Sequence, residues 1–240
     1  CTPFDINGAK ELNNLVDIFK ISSSDITNYP LIREVSKFKK TIILSTGASN
    51  LNEINEAIKL IKKYHNKIIL LHCVLNYPTQ NENAYLGLIN VLKHKFKNIP
   101  IGYSDHTFEN SNLNILTAWM LGAVLIEKHF THNKKLKGND HYHSADYKDL
   151  IKLHENFNQI KSSMKNDIKN KLKIEKKSRL NARRSIYTTK DLKKNHRIQL
   201  SDIICKRPAN GLHPKFFDKI IGKKIKKSKK EDTPIYMKDF

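Results

Sequence analysis

Two histidines stand directly behind strand-like stretches, His106 in Gly102-Tyr103-Ser104-Asp105-His106-Thr107 and His129 in Glu127-Lys128-His129-Phe130-Thr131. One histidine in such a loop reads most simply as a hydrogen-bonded polar residue. Two at matched strand ends read differently, because neighbouring parallel strands bring both imidazoles within reach of one ion. Two neutral nitrogens with positions open for oxygen ligands suit a divalent cation acting as a Lewis acid, Mn²⁺ first, with Mg²⁺ or Co²⁺ as substitutes. The other nine histidines show no matched placement, and His65, His94, His154 and His196 are read as surface residues. A second group, Lys20-Ile21-Ser22-Ser23-Ser24-Asp25, sets a cation, hydroxyls and a carboxylate at one strand end, which suits a substrate carrying phosphate and carboxylate. Ser45-Thr46-Gly47 adds hydroxyls and a glycine that lets backbone approach an anion. Gly138-Asn139-Asp140-His141-Tyr142-His143-Ser144 is a polar loop, with Ser144 placed to cap the helix that follows.

These groups need elements that converge them. Strand-like stretches near Phe19–Ser22, Thr41–Ser45, Lys67–His72, Pro100–Ser104 and Ala123–His129 alternate with helix-period stretches near Pro30–Lys39, Leu51–Tyr64, Ala84–Lys95, Asn112–Leu121 and Tyr147–Met164. The alternation predicts an α/β fold with a parallel sheet, and the chemistry-bearing residues fall at the strands' C-terminal ends, the active face of a (β/α)8 TIM barrel. Cys1–Asp5 reads as the end of an earlier strand, followed by a helix-like stretch from Gly8 to Asp17. Five strands and that tail fall short of eight, so the expectation is a barrel lacking about its first two and a half βα units. Residues 1–165 are then a partial barrel and 166–182 a Lys-rich linker. Residues 183–240 form a small β-rich module, with strand-like pieces Ser185–Thr188, Ile203–Lys206 and Thr233–Tyr236 between Pro and Gly turns.

Composition narrows the class. With 240 residues and 39% hydrophobic content the chain can bury a core, and its apolar runs are strand-sized, well short of the roughly 20 residues of a membrane helix. Three widely spaced cysteines argue against a disulfide framework and point to a reducing cytoplasm. The net charge of +21 admits a nucleic-acid binder or a lysine-biased solvated surface. The second fits better, because lysines are spread along the chain and only Lys223–Lys230 is dense.

The motifs together resemble the sialic acid synthase family, nonulosonate synthases that condense phosphoenolpyruvate with an N-acylated hexose. The matching residues are Thr2-Pro3-Phe4, Lys20-Ile21, Tyr29-Pro30-Leu31, Ile43-Leu44-Ser45-Thr46-Gly47, Leu71-His72-Cys73, Tyr77-Pro78-Thr79, Ser104-Asp105-His106-Thr107 and His129-Phe130-Thr131. Lys206-Arg207-Pro208-Ala209-Asn210-Gly211 resembles the signature of the family's antifreeze-like (SAF) domain, and family members begin with about a hundred further residues.

The resemblance implies metal binding by His106 and His129, and phosphoenolpyruvate contacts from Thr2, Lys20, Ser23, Ser45, Tyr77 and Ser104, with Lys20 the fixed cation. It implies proton handling by Asp25, an acceptor-sugar contact from Asp140, and an Arg207 reaching the partner's barrel in a domain-swapped homodimer. Val74-Leu75-Asn76 departs from a polar pair in the family, which leaves Asn76 as the amide of that turn. The implied partners are phosphoenolpyruvate and an N-acylated amino-hexose such as N-acetylmannosamine, with no nucleic acid and no membrane. Rival readings are a phosphoenolpyruvate-dependent sugar-phosphate synthase, an inactive fragment, and a basic nucleic-acid-binding protein.

Overall fold

The computed structural model describes residues 1–108, 112–164 and 173–240, so residues 166–172 of the expected linker lie outside the described residues. The chain divides into two compact units, Cys1–Lys165 and Asn166–Phe240.

In the first unit five parallel strands lie in sequence order, β1 (Ile18–Ile21), β2 (Thr41–Ser45), β3 (Ile68–His72), β4 (Ile101–Asp105) and β5 (Ile126–Lys128). Cys1 flanks β1 in a parallel pattern, its amine donating to the Ile18 carbonyl and its own carbonyl accepting from Lys20 N. The helices are α1 (Ile6–Leu12), α2 (Tyr29–Lys37), α3 (Leu51–Lys62), α4 (Leu88–Lys95), α5 (Leu113–Met120) and α6 (Tyr147–Ser163).

Alternation sorts the strand residues. Phe19, Ile21, Ile42, Leu44, Ile68, Leu70, Ile101 and Tyr103 are buried in one core with Leu31, Ile32 and Val35 of α2 and Ile54, Ala57, Ile58 and Ile61 of α3. The other face is concave, and an ion pair measures its curvature. Lys20 Nζ on β1 lies 3.0 Å from Glu127 Oε1 on β5, although these are opposite ends of the strand order. In a flat sheet four inter-strand spacings of about 4.8 Å would hold those strands about 19 Å apart, so the sheet curls.

Local signals set the helix starts. Asn50 and Glu53 form a capping box on α3, and Asn28 with Pro30 opens α2. Two expectations are corrected. The stretch Ala84–Lys95 becomes helical only from Leu88, because Tyr85 has a positive φ of 44° that no right-handed helix accommodates. Asp146, not Ser144, caps α6: its Oδ1 accepts from Lys148 N and Asp149 N, whereas Ser144 Oγ donates to the Asp140 carbonyl at 2.5 Å.

In the second unit α7 (Lys176–Ala182) precedes an antiparallel pair, β6 (Ser185–Thr188) and β7 (Ile203–Lys206), and a one-turn helix α8 (Phe217–Ile220) follows. Thr233–Tyr236 runs beside β6 without becoming a strand. Its one bridge, Pro234 with Tyr187, is held by Thr188 N on the Thr233 carbonyl and Ile235 N on the Ile186 carbonyl, and pairing stops there because Ile186 N donates to the Leu212 carbonyl instead. Ile186, Ile198, Ile203, Leu212, Ile220 and Ile235 form the small core. The three cysteines are unbonded, and among the described residues no helix is long and apolar enough to cross a membrane.

Candidate active site

The register of β4 against β5 pairs Ser104 with Glu127 and Asp105 with Lys128, so His106 and His129 are the next residues out, side by side above the sheet. Their ring centroids are 5.4 Å apart. Beneath them Lys128 Nζ and Asp105 Oδ2 form a 2.9 Å ion pair, both side chains buried. Asp105 Oδ1 also accepts from Tyr103 Oη, Thr107 N and Thr107 Oγ1 at 2.7–3.0 Å. A buried charge persists only when paired and hydrogen-bonded in this way. This network ties the two strand ends together where the histidines emerge.

His106 Nδ1 meets the Val74 carbonyl at 2.7 Å, and Nε2 faces Ser104 Oγ at a long 3.4 Å. With the proton on Nδ1 the Nε2 lone pair is available, the usual way a backbone carbonyl orients a metal ligand. Burial holds the imidazole below its ordinary pKa, which keeps it neutral. His129 Nδ1 is 3.6 Å from Asp140 Oδ2, and the ligand atoms of His129, Asp140 and His143 all lie within 4.8 Å of one another. His106 is outside that trio. The donor set of imidazole nitrogens and one carboxylate fits a divalent cation.

The other end of the concave face gathers a cation and hydroxyls. Ser23 is buried in the turn after β1. Its Oγ lies 3.0 Å from Cys73 Sγ and accepts from Gly47 N at 3.0 Å. A Cβ on Gly47 would stand 2.9 Å from Ser23 Oγ and 3.1 Å from Cys73 Sγ, so any side chain there would push those groups out of place. Cys73 is pushed above its ordinary pKa by burial and stays a thiol. Ser45 ends β2 with its buried Oγ lacking a hydrogen-bond partner among the described residues. Lys20, which Glu127 holds at 3.0 Å, supplies the cation.

The remaining residues are less gathered. Thr2 is half-buried just after the Cys1–β1 contact. Asp25 Oδ1 accepts from Asn28 Nδ2 at 3.0 Å, while Oδ2 has only a 3.4 Å contact to Ser24 Oγ. Tyr77 is partly exposed, its ring 4.3 Å from His106, 5.6 Å from His129 and 6.4 Å from His143. Asn76 turns its amide onto the Pro78 carbonyl at 3.3 Å, and Leu75 beside it is exposed. Tyr77, His129, Asp140 and Tyr142 line a cavity of about 560 Å³. Arg207 is exposed on the second unit.

Sequence reasoning misses three participants. Glu127 reads there only as a flanking residue of a motif, and Lys128 only as the start of a polar stretch at a strand end, with no partner. His143 reads as unmatched, yet it is fully buried, and His72 is buried too, its Nε2 2.8 Å from the Ala84 carbonyl. Of the four histidines read as surface residues, His94 and His154 are exposed, but His65 is half-buried and His196 bonds Asp202 at 2.6 Å. The strand register itself, which pairs Lys128 with Asp105, is the signal that finds Lys128. Nothing local finds His143.

Comparison with known proteins places this geometry. Residues 1–169 match the model of the NeuB family, and residues 183–240 match the SAF domain. An N,N'-diacetyllegionaminic acid synthase of Campylobacter jejuni is 40% identical over 98% of this chain, which spans 70% of that protein. Among solved structures, the spore coat polysaccharide biosynthesis protein SpsE of Bacillus subtilis superposes with a TM-score of 0.63 at 30% identity, covering 99% of this chain and 72% of that one. The N-acetylneuraminic acid synthetase of Leptospira borgpetersenii, solved with citrate, gives 0.65 at 36% identity over 74% of this chain and 61% of that one.

Proposed function

Because the chain belongs to the NeuB family and carries a SAF domain, we propose that it is a nonulosonic acid synthase. In this reading it joins phosphoenolpyruvate to an N-acylated amino-hexose and releases phosphate by C–O cleavage. One observation carries the reading: the curled sheet puts the cation and hydroxyls of Lys20, Ser23 and Ser45 on the same concave face as the paired strand ends that present His106 and His129.

Lys20, Ser23, Ser45, Ser104 and Thr2 hold the phosphate and carboxylate of phosphoenolpyruvate, with Tyr77 and Asn76 closing over it. Fixing the enol carbon C3 against C1 of the open-chain sugar replaces an encounter in solution by a unimolecular step. The C3–C1 bond forms, water adds at C2, and the C2–O bond to phosphate breaks. Asp25, whose Oδ2 is lightly engaged, takes up the proton that the adding water gives up. Asp140 holds the acceptor sugar. A divalent cation at His106 and His129, when bound, supplies Lewis-acid activation of the sugar carbonyl. Arg207 acts on the partner subunit's site in a swapped homodimer, which light scattering tests.

The deciding experiment is a coupled phosphate-release assay with phosphoenolpyruvate and Mn²⁺. The acceptors are N-acetylmannosamine and the diacetamido sugars that lead to legionaminic and pseudaminic acids. Release is expected to require both phosphoenolpyruvate and one of these unphosphorylated sugars, and to stop on chelation. Release only with a phosphorylated sugar overturns the reading in favour of a sugar-phosphate synthase.

A further inference from the structure

In the second unit β6 carries two polar side chains on the face away from the small core. Ile186 packs into that core, so alternation along the strand turns Ser185 and Tyr187 the other way, and both are buried. The loop after β7 covers them. The chain leaves β7 at Lys206, which pairs with Ser185, and reaches Leu212, whose carbonyl accepts from Ile186 N and whose N–H donates to the Ile235 carbonyl. Residues 207–211 therefore arch across β6 from one flank to the other.

The arch is held at every residue but its first. Ser185 Oγ donates to the Pro208 carbonyl at 2.7 Å, and Tyr187 Oη donates to Asn210 Oδ1 at 2.6 Å. Ala209 N donates to the Leu180 carbonyl at 2.8 Å. Gly211 is pressed so close that a Cβ would stand 2.8 Å from Pro234 Cβ and 2.9 Å from the Ile235 carbonyl oxygen. The two consecutive cations where the arch begins differ. Lys206 Nζ lies 5.1 Å from the centre of the Tyr187 ring and pairs with Asp232. Arg207 is exposed, and its guanidinium has no partner among the described residues. A fixed backbone bearing one uncommitted guanidinium is preorganised: the fork keeps its donors for a carboxylate, phosphate or acyl oxygen, and little loop entropy remains to be lost when a ligand arrives.

We propose that Tyr187 is the positioning residue for Arg207: its hydroxyl, through Asn210, sets the arch that carries the guanidinium into the partner subunit's site. This role rests on the proposed function, which gives Arg207 a substrate to meet. Tyr187 touches no substrate and acts only through the arch, so its effect on turnover vanishes where Arg207 is absent.

The test is a double-variant cycle on the whole chain in the phosphate-release assay, with amide hydrogen exchange as a second reading that needs no turnover. Arg207→Ala is expected to raise the KM of one substrate at least about tenfold, the loss of a charge-assisted contact. Tyr187→Phe, which keeps the ring and the Lys206 contact, is expected to raise that same KM at least about threefold with kcat within about twofold, and to add nothing in the Arg207→Ala background. It is also expected to speed exchange of the Ala209 amide at least about tenfold while the Ile186 and Ile235 amides stay within about twofold of the parent. Asn210→Ala, at an exposed residue, is expected to match it on both readings and carries the test if Tyr187→Phe fails to fold. Unchanged Ala209 exchange overturns the proposal, as does a KM that neither Arg207→Ala nor Tyr187→Phe moves, or a Tyr187→Phe loss that persists in full beside Arg207→Ala. If Ala209 exchange is unchanged while the parent releases phosphate, the brace falls and the synthase reading stands. If no acceptor supports release by the parent, the synthase reading falls, and faster Ala209 exchange in Tyr187→Phe upholds the brace without it.

Discussion

The two ends of the concave face are built on opposite terms. At the anion end most polar groups are satisfied by each other, Ser23 Oγ by Cys73 Sγ and Gly47 N, and Lys20 by Glu127, with Ser45 Oγ the exception. At the histidine end the strand ends are locked from below by the Asp105–Lys128 pair, while the nitrogens above, those of His143 in particular, are left open. A pre-satisfied cradle keeps its shape without a ligand and exchanges bonds when one arrives. An orphaned set gains its partners only from a ligand, so its stability and its occupancy are linked.

Lys128→Met attacks the foundation of the histidine end. It leaves the Asp105 carboxylate buried without its cation, and urea unfolding should show a loss of about 3–5 kcal/mol. Unchanged stability would mean that the strand ends are held by something else. Lys20→Ala acts at the other end: calorimetry should show phosphoenolpyruvate binding about 10- to 100-fold weaker, the value of one charge-assisted contact of roughly 1.5–3 kcal/mol, with Mn²⁺ affinity unmoved. Equal losses of both ligands would erase the distinction between the ends. Gly47→Ala places a methyl against Ser23 Oγ and Cys73 Sγ, and should cost about 1–3 kcal/mol of stability together with the anion site. Ser45→Ala sharpens the contrast most finely. Its hydroxyl has no partner to lose, so folding should stay within about 0.5 kcal/mol, while phosphoenolpyruvate binding weakens by the roughly 1 kcal/mol of one hydrogen bond.

The second unit offers a reference for a buried group that is already paired. Burial alone would raise the pKa of Asp202, but Lys190, the Gln199 N–H and His196 outweigh it and pull the carboxylate down to about 2. Its folded-state value lies below its unfolded one, so its contribution is fully present above about pH 4 and is lost as pH falls toward 2. Asp202→Asn should flatten the fall in melting temperature across that window. A parallel fall in the variant would assign the acid sensitivity to other groups.

Much of the fold and of the site is legible in the order of the residues. β2 runs over Thr41–Ser45 and α3 starts at Leu51, where alternation and the Asn50–Glu53 box put them. His106 and His129 can be paired from sequence because each follows its strand directly, and a strand boundary is a local signal. Thr233–Tyr236 misleads, since its apolar content reads as a strand while Leu212, brought in from elsewhere along the chain, takes the next hydrogen bonds of both segments. Ser144 misleads because a serine ahead of a helix is a common cap, and only the backbone path gives that role to Asp146.

The sequence by itself determined the parallel α/β unit, the small β module behind it, and the strand ends at which chemistry is carried. Those features follow from periodicity and residue type over a few neighbours. Tertiary structure alone decided that Lys20 meets Glu127 across five strands, because curvature is a property of the whole sheet. It also decided that His143, fourteen residues beyond His129 along the chain, returns to stand beside it. That return depends on the Phe130–Ala145 bridge, a contact between segments whose separation no local pattern encodes.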